Sequence, residues 1–404
     1  MRVLQITAFS GWGCTGRIAM GIHNALAEQG HESAIAWGRI NTAPADVKTF
    51  QIGNRFDQQM HGLYTRITDK CGFGSKGVTK EFLKKIDEYD PDLVQLHILH
   101  GYYINLEVLF DYLKEKKIPV VWTFHDCWAF TGHCPYFDLV GCEKWKTGCH
   151  DCQQKAHHPT SWLMDNSRWN WKKKRELFTG VDNLTIVTPS KWLAGLVKES
   201  FLKDCRVEVI NNGINTNDFK PTKGTFREDH GLENKKIVLG VSSTWCKSKG
   251  IDDFIELSKK LPNDYKVVLV GLSKEQLATL PKQILGIERT DSVHQLAEIY
   301  TTADVFVNPT YEDNYPTTNL EALACGTPVL TYRTGGSVEA AGNEYGKIID
   351  QGNVSQLAEY IVSRKWESVT SEMCRKKAKE FDENIKFNEY VELYKELMKK
   401  RNGK

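Results

Sequence analysis

Short runs of consecutive apolar, often β-branched residues alternate along this chain with longer stretches in which apolar positions recur every three or four residues. The short runs predict strands over residues 2–7, 33–37, 92–99, 118–125, 184–189 and 206–210, and again over 236–242, 265–271, 303–308 and 328–332. The longer stretches predict helices over 17–29, 55–70, 78–89, 252–261 and 318–325, the last closed by Gly326 with Pro328 barring continuation. A final helix over 387–399 carries Tyr390, Leu393, Tyr394 and Leu397 on one face. Strands that are apolar on both sides and separated by helices assemble into parallel sheets covered on both faces, so the predicted fold class is α/β with doubly wound, Rossmann-like sheets.

At 404 residues the chain exceeds what one core serves, and two such domains are expected. The turn-rich run 211–217 lies midway between the two strand arrays and predicts their linker. Hydrophobic content of 41% and charged content of 26% are those of a soluble globular protein, and a net charge of +2 gives no argument for a nucleic acid partner. No run of 18 or more apolar residues occurs, which excludes a membrane-spanning helix. The first residues read as a strand and not as a signal peptide, and the eleven cysteines then read as thiols or metal ligands, which predicts a cytoplasmic location.

The densest chemistry lies between the strand at 303–308 and the helix at 318–325, where carboxylate, amide and hydroxyl groups crowd one loop. In an open α/β sheet a strand's carboxyl end, a loop and a helix N-terminus make an anion site, because the first N–H groups are unpaired and the dipole favours negative charge. Glu321 could bind a vicinal diol with its two oxygens, and its place in the first predicted turn lets the dipole hold it ionised. Lys249, between a strand and a helix, could neutralise a diphosphate leaving group. The loop after the first strand holds Gly11, Gly13 and Gly16, with Arg17 opening the helix; these glycines let backbone approach a ligand, but no acidic residue follows at the spacing of a dinucleotide fingerprint. His125 ends the strand at 118–125, placed to bind a sugar hydroxyl or share a proton.

Asp313 and Glu321, with Ala324-Cys-Gly-Thr-Pro328 behind them, resemble the acidic motif of the GT-B, family 4 retaining glycosyltransferases. The resemblance runs in order through the Gly-rich loop, His125, the linker, Lys249, Gly335-Gly336 and the terminal helix. It implies an N-terminal acceptor domain over 1–212, rejoined by a returning helix at 386–404, and a donor domain over 213–385, with a cleft between them. It implies a nucleotide-diphosphate sugar donor, a glycan or lipid-diphosphate-linked acceptor, no catalytic cofactor, and retention of anomeric configuration. The ribose would fall to Glu321, the donor sugar to His125, Asp313 and Asn314, and the diphosphate to Lys249, Gly16, Arg17 and the backbone of Tyr315, Thr317 and Thr318. Two departures stand out. Glu312 precedes Asp313 and leaves the first acidic role open between them, and Ser242, Ser243 and Thr244 stand where the family has an Arg, so that either Lys247 or hydroxyl groups replace it.

Two further features fall outside that pattern. Cys134, Cys142, Cys149 and Cys152 lie within nineteen residues, beside Gly141 and Gly148, and offer four soft ligands for a structural zinc in a loop with few apolar residues; free thiols or a disulfide are the alternatives. The run 124–134 through Cys134 is similar to one found in family 4 enzymes that build bacterial capsular and exopolysaccharides, such as those of colanic-acid type. The run 169–175 mixes two tryptophans with four cations, and reads either as a solvated helix face or as a surface resting on the inner face of an anionic membrane. A non-catalytic binding protein and a nucleotide-sugar epimerase or hydrolase are the competing classes.

Overall fold

The computed structural model describes residues 1–402. The chain divides into two compact units, Met1–Asn211 together with the chain from Lys386 on, and Asn212–Ile385. The first unit is built on β1 (Arg2–Ser10), β2 (Glu32–Asn41), β3 (Thr49–Gln51), β4 (Leu93–Leu96), β5 (Val120–Thr123), β6 (Leu184–Thr188) and β7 (Arg206–Val209), all parallel, in the order β3-β2-β1-β4-β5-β6-β7. Side chains alternate between its faces. On β1, Val3 joins the cluster of Ile18, Ile22, Leu26, Val391 and Tyr394, while Leu4, Ile6 and Ala8 enter the cluster of Phe82, Leu96, Phe110 and Trp122 on the other side. The final helix, Glu383–Asn402, is fixed there by polar contacts too, since Tyr394 donates to Gln95 Oε1 at 2.8 Å.

The second unit holds β8 (Lys236–Val241), β9 (Tyr265–Val270), β10 (Ile284–Ile287), β11 (Val305–Asn308), β12 (Val329–Tyr332) and β13 (Gly346–Ile349), parallel and ordered β10-β9-β8-β11-β12-β13. Ile237, Leu239 and Phe306 face one core and Val238, Val305 and Val307 the other. In each sheet the strand order reverses beside the first strand, between β1 and β4 and between β8 and β11. Ligands bind open α/β sheets at the carboxyl ends of the strands flanking such a reversal.

Two corrections concern the ends of helices. The first helix begins at Gly13, not Arg17, so Gly16 lies in its opening turn. The helix after β11 runs Thr317–Ala324, which places Glu321 beyond its first turn. A third concerns the loop after β5, which is rich in aromatics that join the first unit's core: Trp128, Phe130, Phe137 and Trp145 are buried, with Phe137 stacked on Trp145 at 4.9 Å. Among the described residues no helix is long and apolar enough to cross a membrane.

Candidate functional site

In the second unit, the loops leaving β8 and β11 are laced together at the strand reversal. Ser248 O accepts from Tyr311 N (2.8 Å) and from Thr310 Oγ1 (3.2 Å). Between them Gly250 adopts φ +72°, where an added Cβ would stand 2.3 Å from Pro309 O, so only glycine lets the loops meet this closely. Lys249 precedes it on the short turn Lys247–Lys249, and its Nζ donates to Asp313 Oδ2 at 2.6 Å and to Glu312 O at 3.1 Å. Lys249 and Asp313, sixty-four positions apart, thus meet. Lys247 is exposed on the same turn, and Ser242 and Thr244 bond to one another, Ser242 Oγ donating to Thr244 O at 2.9 Å.

The helix behind this pair is preceded by Pro316, which offers its end no side-chain cap, so the backbone at partly exposed Thr317 and Thr318 keeps anion-binding character. Asn314 and Tyr315 are buried; Tyr315 packs on Phe381 and its carbonyl accepts from Asn212 Nδ2 at 3.1 Å, so its side chain anchors the loop. Glu321 is 6% exposed, and its Oε2 accepts from the buried Tyr300 hydroxyl at 3.0 Å. The carboxylate thus stands one turn into the helix, with the Tyr300 hydroxyl as one of its partners. Asn319 locks the helix to the sheet, accepting from Asn308 Nδ2 (2.9 Å) and donating to Ser337 Oγ (3.0 Å), which lies 2.6 Å from Thr331 Oγ1. Sequence reasoning passed over Tyr300 and Asn319, whose roles depend on partners distant in the chain.

In the first unit, four histidines gather behind the carboxyl ends of β4 and β5. His125 Nε2 lies 3.2 Å from His97 Nδ1, and His97 Nε2 lies 3.2 Å from Gln5 Oε1. Burial pushes His125 down to about 4 and His97 well below the usual imidazole range, so both are neutral at pH 7. His125 therefore suits hydrogen bonding to a hydroxyl better than proton exchange. Asp126 Oδ2 lies 2.9 Å from His100 Nε2, and its Oδ1 accepts from Trp128 N at 2.8 Å. Burial alone would raise the Asp126 carboxyl, but His100 and the Trp128 N–H hold it below its ordinary value. His158 follows, its Nε2 3.4 Å from His100 Nδ1. Of these histidines only His125 was singled out from sequence; the others come from segments far apart in the chain. Gly16 is buried, its carbonyl accepting from Gly11 N at 3.2 Å, whereas Arg17 is exposed.

Cys134, Cys142, Cys149 and Cys152 line one small cavity, and Cys149 Sγ accepts from Gly132 N at 3.2 Å. The Cys134 thiol donates to Cys152, which holds the Cys152 thiol below its ordinary range. Among the described residues, however, no three His, Cys, Asp or Glu side chains are grouped as metal ligands. Nor does the run 169–175 form one surface. Trp171 and Lys174 are buried; Lys174 Nζ donates to Trp128 O (2.7 Å) and Thr131 O (3.1 Å), and burial lowers it to about 7.

The family profile described as Glycosyltransferase Family 4 matches residues 15–218, and that of Glycosyl transferases group 1 matches residues 222–384. The chain is 24% identical over 432 residues to the putative colanic acid biosynthesis glycosyl transferase WcaC of Escherichia coli K12, covering 98% of this chain and all of that one. It is 30% identical over 217 residues to the N,N'-diacetylbacillosaminyl-diphospho-undecaprenol alpha-1,3-N-acetylgalactosaminyltransferase of Campylobacter jejuni, covering 49% of this chain and 56% of that one. The crystal structure of Anabaena Alr3699/HepE in complex with UDP-glucose shares the fold, with a TM-score of 0.67 at 14% identity, covering 98% of this chain and 99% of that one.

Proposed function

The chain belongs to glycosyltransferase family 4, and from that premise we propose that it transfers a sugar, with retention, from a nucleotide-diphosphate sugar to a hydroxyl of a glycan or lipid-diphosphate-linked acceptor. The observation that carries this reading is the Lys249–Asp313 contact at the reversal between β8 and β11, with buried Glu321 on the helix behind it. In it the Glu321 carboxylate accepts from both ribose hydroxyls. Lys249 and the N–H groups from Tyr315 to Thr318 hold the diphosphate, and Asp313 with Asn314 faces the sugar. Neutral His125 accepts from or donates to a sugar hydroxyl.

In the proposed reaction the anomeric C–O bond to phosphate breaks as the acceptor oxygen bonds to the same face. The acceptor's proton passes to the departing phosphate oxygen, so configuration is kept without a glycosyl-enzyme. Lys249 stabilises the charge that develops on that phosphate. UDP-glucose in the HepE complex supports a nucleotide-sugar donor, and the Campylobacter relative's name supports a diphosphate-linked lipid acceptor. WcaC's name supports a place in cell-surface polysaccharide synthesis.

A structural zinc at the cysteine cluster belongs to the same proposal and takes no part in the transfer. Four soft ligands around one cavity suit a thiolate–zinc group, and the thiols must turn toward one another to close it.

A panel of nucleotide-sugars screened by thermal shift should contain one that stabilises the protein, and Lys249→Ala should then lower turnover of that donor at least roughly a hundredfold. A folded Lys249→Ala protein with undiminished turnover would remove the reading.

A further inference from the structure

The helix Arg55–Thr68 is amphipathic with its faces reversed. It buries His61, Gly62 and Thr65, while Phe56, Met60, Leu63, Tyr64 and Ile67 are exposed, Phe56 by 67%. At 3.6 residues per turn those five side chains fall within an arc of about 100°. The fold fixes this orientation. His61 Nε2 accepts from Gly72 N (3.2 Å) and Gly74 N (3.3 Å), and Gln58 donates to Gly38 O, so the helix cannot roll its apolar stripe inward without breaking buried polar contacts.

The loop beside it continues the apolar surface. Trp162, Leu163 and Met164 are 60%, 68% and 51% exposed, and Trp162 N and Met164 N donate to Arg66 O and Ile67 O in the helix's last turn. Cations frame this surface. The Arg66 guanidinium lies 5.6 Å from the Trp162 ring and Lys70 Nζ 4.2 Å from the Trp169 ring, with Arg55, Arg168 and Lys172 exposed nearby in the chain. The acidic side chains of the two segments are engaged: Asp57 caps its own helix, Asp69 is buried against His133, and Asp165 accepts from Ser167. An exposed stripe of Phe, Leu, Ile, Met, Tyr and Trp edged by Arg and Lys has the chemistry of an interfacial helix lying on anionic lipid.

We propose that this face of the first unit, the outward stripe of Arg55–Thr68 with Trp162, Leu163 and Met164, docks on an anionic lipid bilayer. Of the run 169–175 only exposed members such as Trp169 and Lys172 edge this face, and the proposal deepens the reading above by giving a lipid-linked acceptor's bilayer a place on the protein. Its test needs no substrate, so it stands or falls apart from the transfer chemistry. The full chain should co-sediment with vesicles of phosphatidylglycerol and phosphatidylcholine, bind vesicles of phosphatidylcholine alone at least about tenfold more weakly, and lose binding as salt is raised. Leu63→Ser with Trp162→Ser and Leu163→Ser should weaken binding at least about tenfold while the thermal unfolding midpoint stays within a few degrees. Absent or charge-independent binding, or unchanged binding by this folded variant, would overturn the proposal. So would a wild-type dimer in light scattering that the same substitutions dissolve, since the face would then be covered by a second copy.

Discussion

Glu321→Gln separates the proposed ribose contact from a merely structural carboxylate. The side chain is 6% exposed, and its Oε2 accepts from Tyr300 at 3.0 Å. The amide oxygen of Gln can still accept that hydroxyl's proton, so the fold should lose no more than about 1 kcal/mol. The ligand loses more. A carboxylate that accepts from both hydroxyls of a diol makes two charge-assisted bonds, and replacing it by an amide removes the charge from both and leaves one donor facing a donor. Bonds to charged groups contribute about 1.5–3 kcal/mol each, so a combined loss of about 2–4 kcal/mol, roughly 30- to 1,000-fold in affinity, is expected. Titration calorimetry with the nucleoside diphosphate of the stabilising donor measures it. Tyr300→Phe is the control, because it removes the internal bond that Gln keeps, leaves the charge, and should lower stability by about 1 kcal/mol while changing affinity less than tenfold. Unchanged nucleotide affinity in a folded Glu321→Gln protein, or equal behaviour of the two variants, would show that Glu321 only partners Tyr300.

Three other outcomes follow from the same structure. Asp313→Ala should lower turnover at least tenfold more than Glu312→Ala, because the Asp313 side chain holds Lys249 whereas Glu312 meets it through a carbonyl that alanine keeps; steady-state rates decide between them. His61 is lowered to about 4 by burial, so between that value and 6.5 the unfolded chain binds the extra proton; stability should fall by up to roughly 3 kcal/mol as pH drops through this window, and urea unfolding at pH 7 and pH 5 should show a smaller loss in His61→Gln. Elemental analysis of untagged protein should find about one zinc per chain, whereas metal-free protein whose Cys152 is alkylated at lower pH than Cys134 would show an unmetallated thiol cluster.

The alternation of apolar runs made both sheets legible because their central strands are buried on both faces and read as unbroken hydrophobic segments. β3, β10 and β13 escaped, and each is a sheet edge with a partly exposed pattern, its apolar residues interrupted by Gly286 in β10 and Lys347 in β13. Lys249, Asp313 and Glu321 were visible because local spacing carries them. His97, His100, His158 and Tyr300 were not, since their meaning comes from partners brought over by topology. Lys174 was hidden for a related reason: its run of cations reads as a solvated face, and only the packed helix reveals which position turns inward over Trp128. The reversed helix Arg55–Thr68 shows the limit most plainly, because periodicity located the helix but could not say that its polar side would be the buried one.

The anomeric configuration of the first-formed product tests the central claim most directly. With the stabilising nucleotide-sugar as donor and a lipid-diphosphate glycoside as acceptor, proton NMR should show a new linkage with the donor's own anomeric configuration, formed by the wild-type chain and at least roughly a hundredfold more slowly by Lys249→Ala. A product of inverted configuration, or one formed at the same rate by the folded variant, would contradict the account.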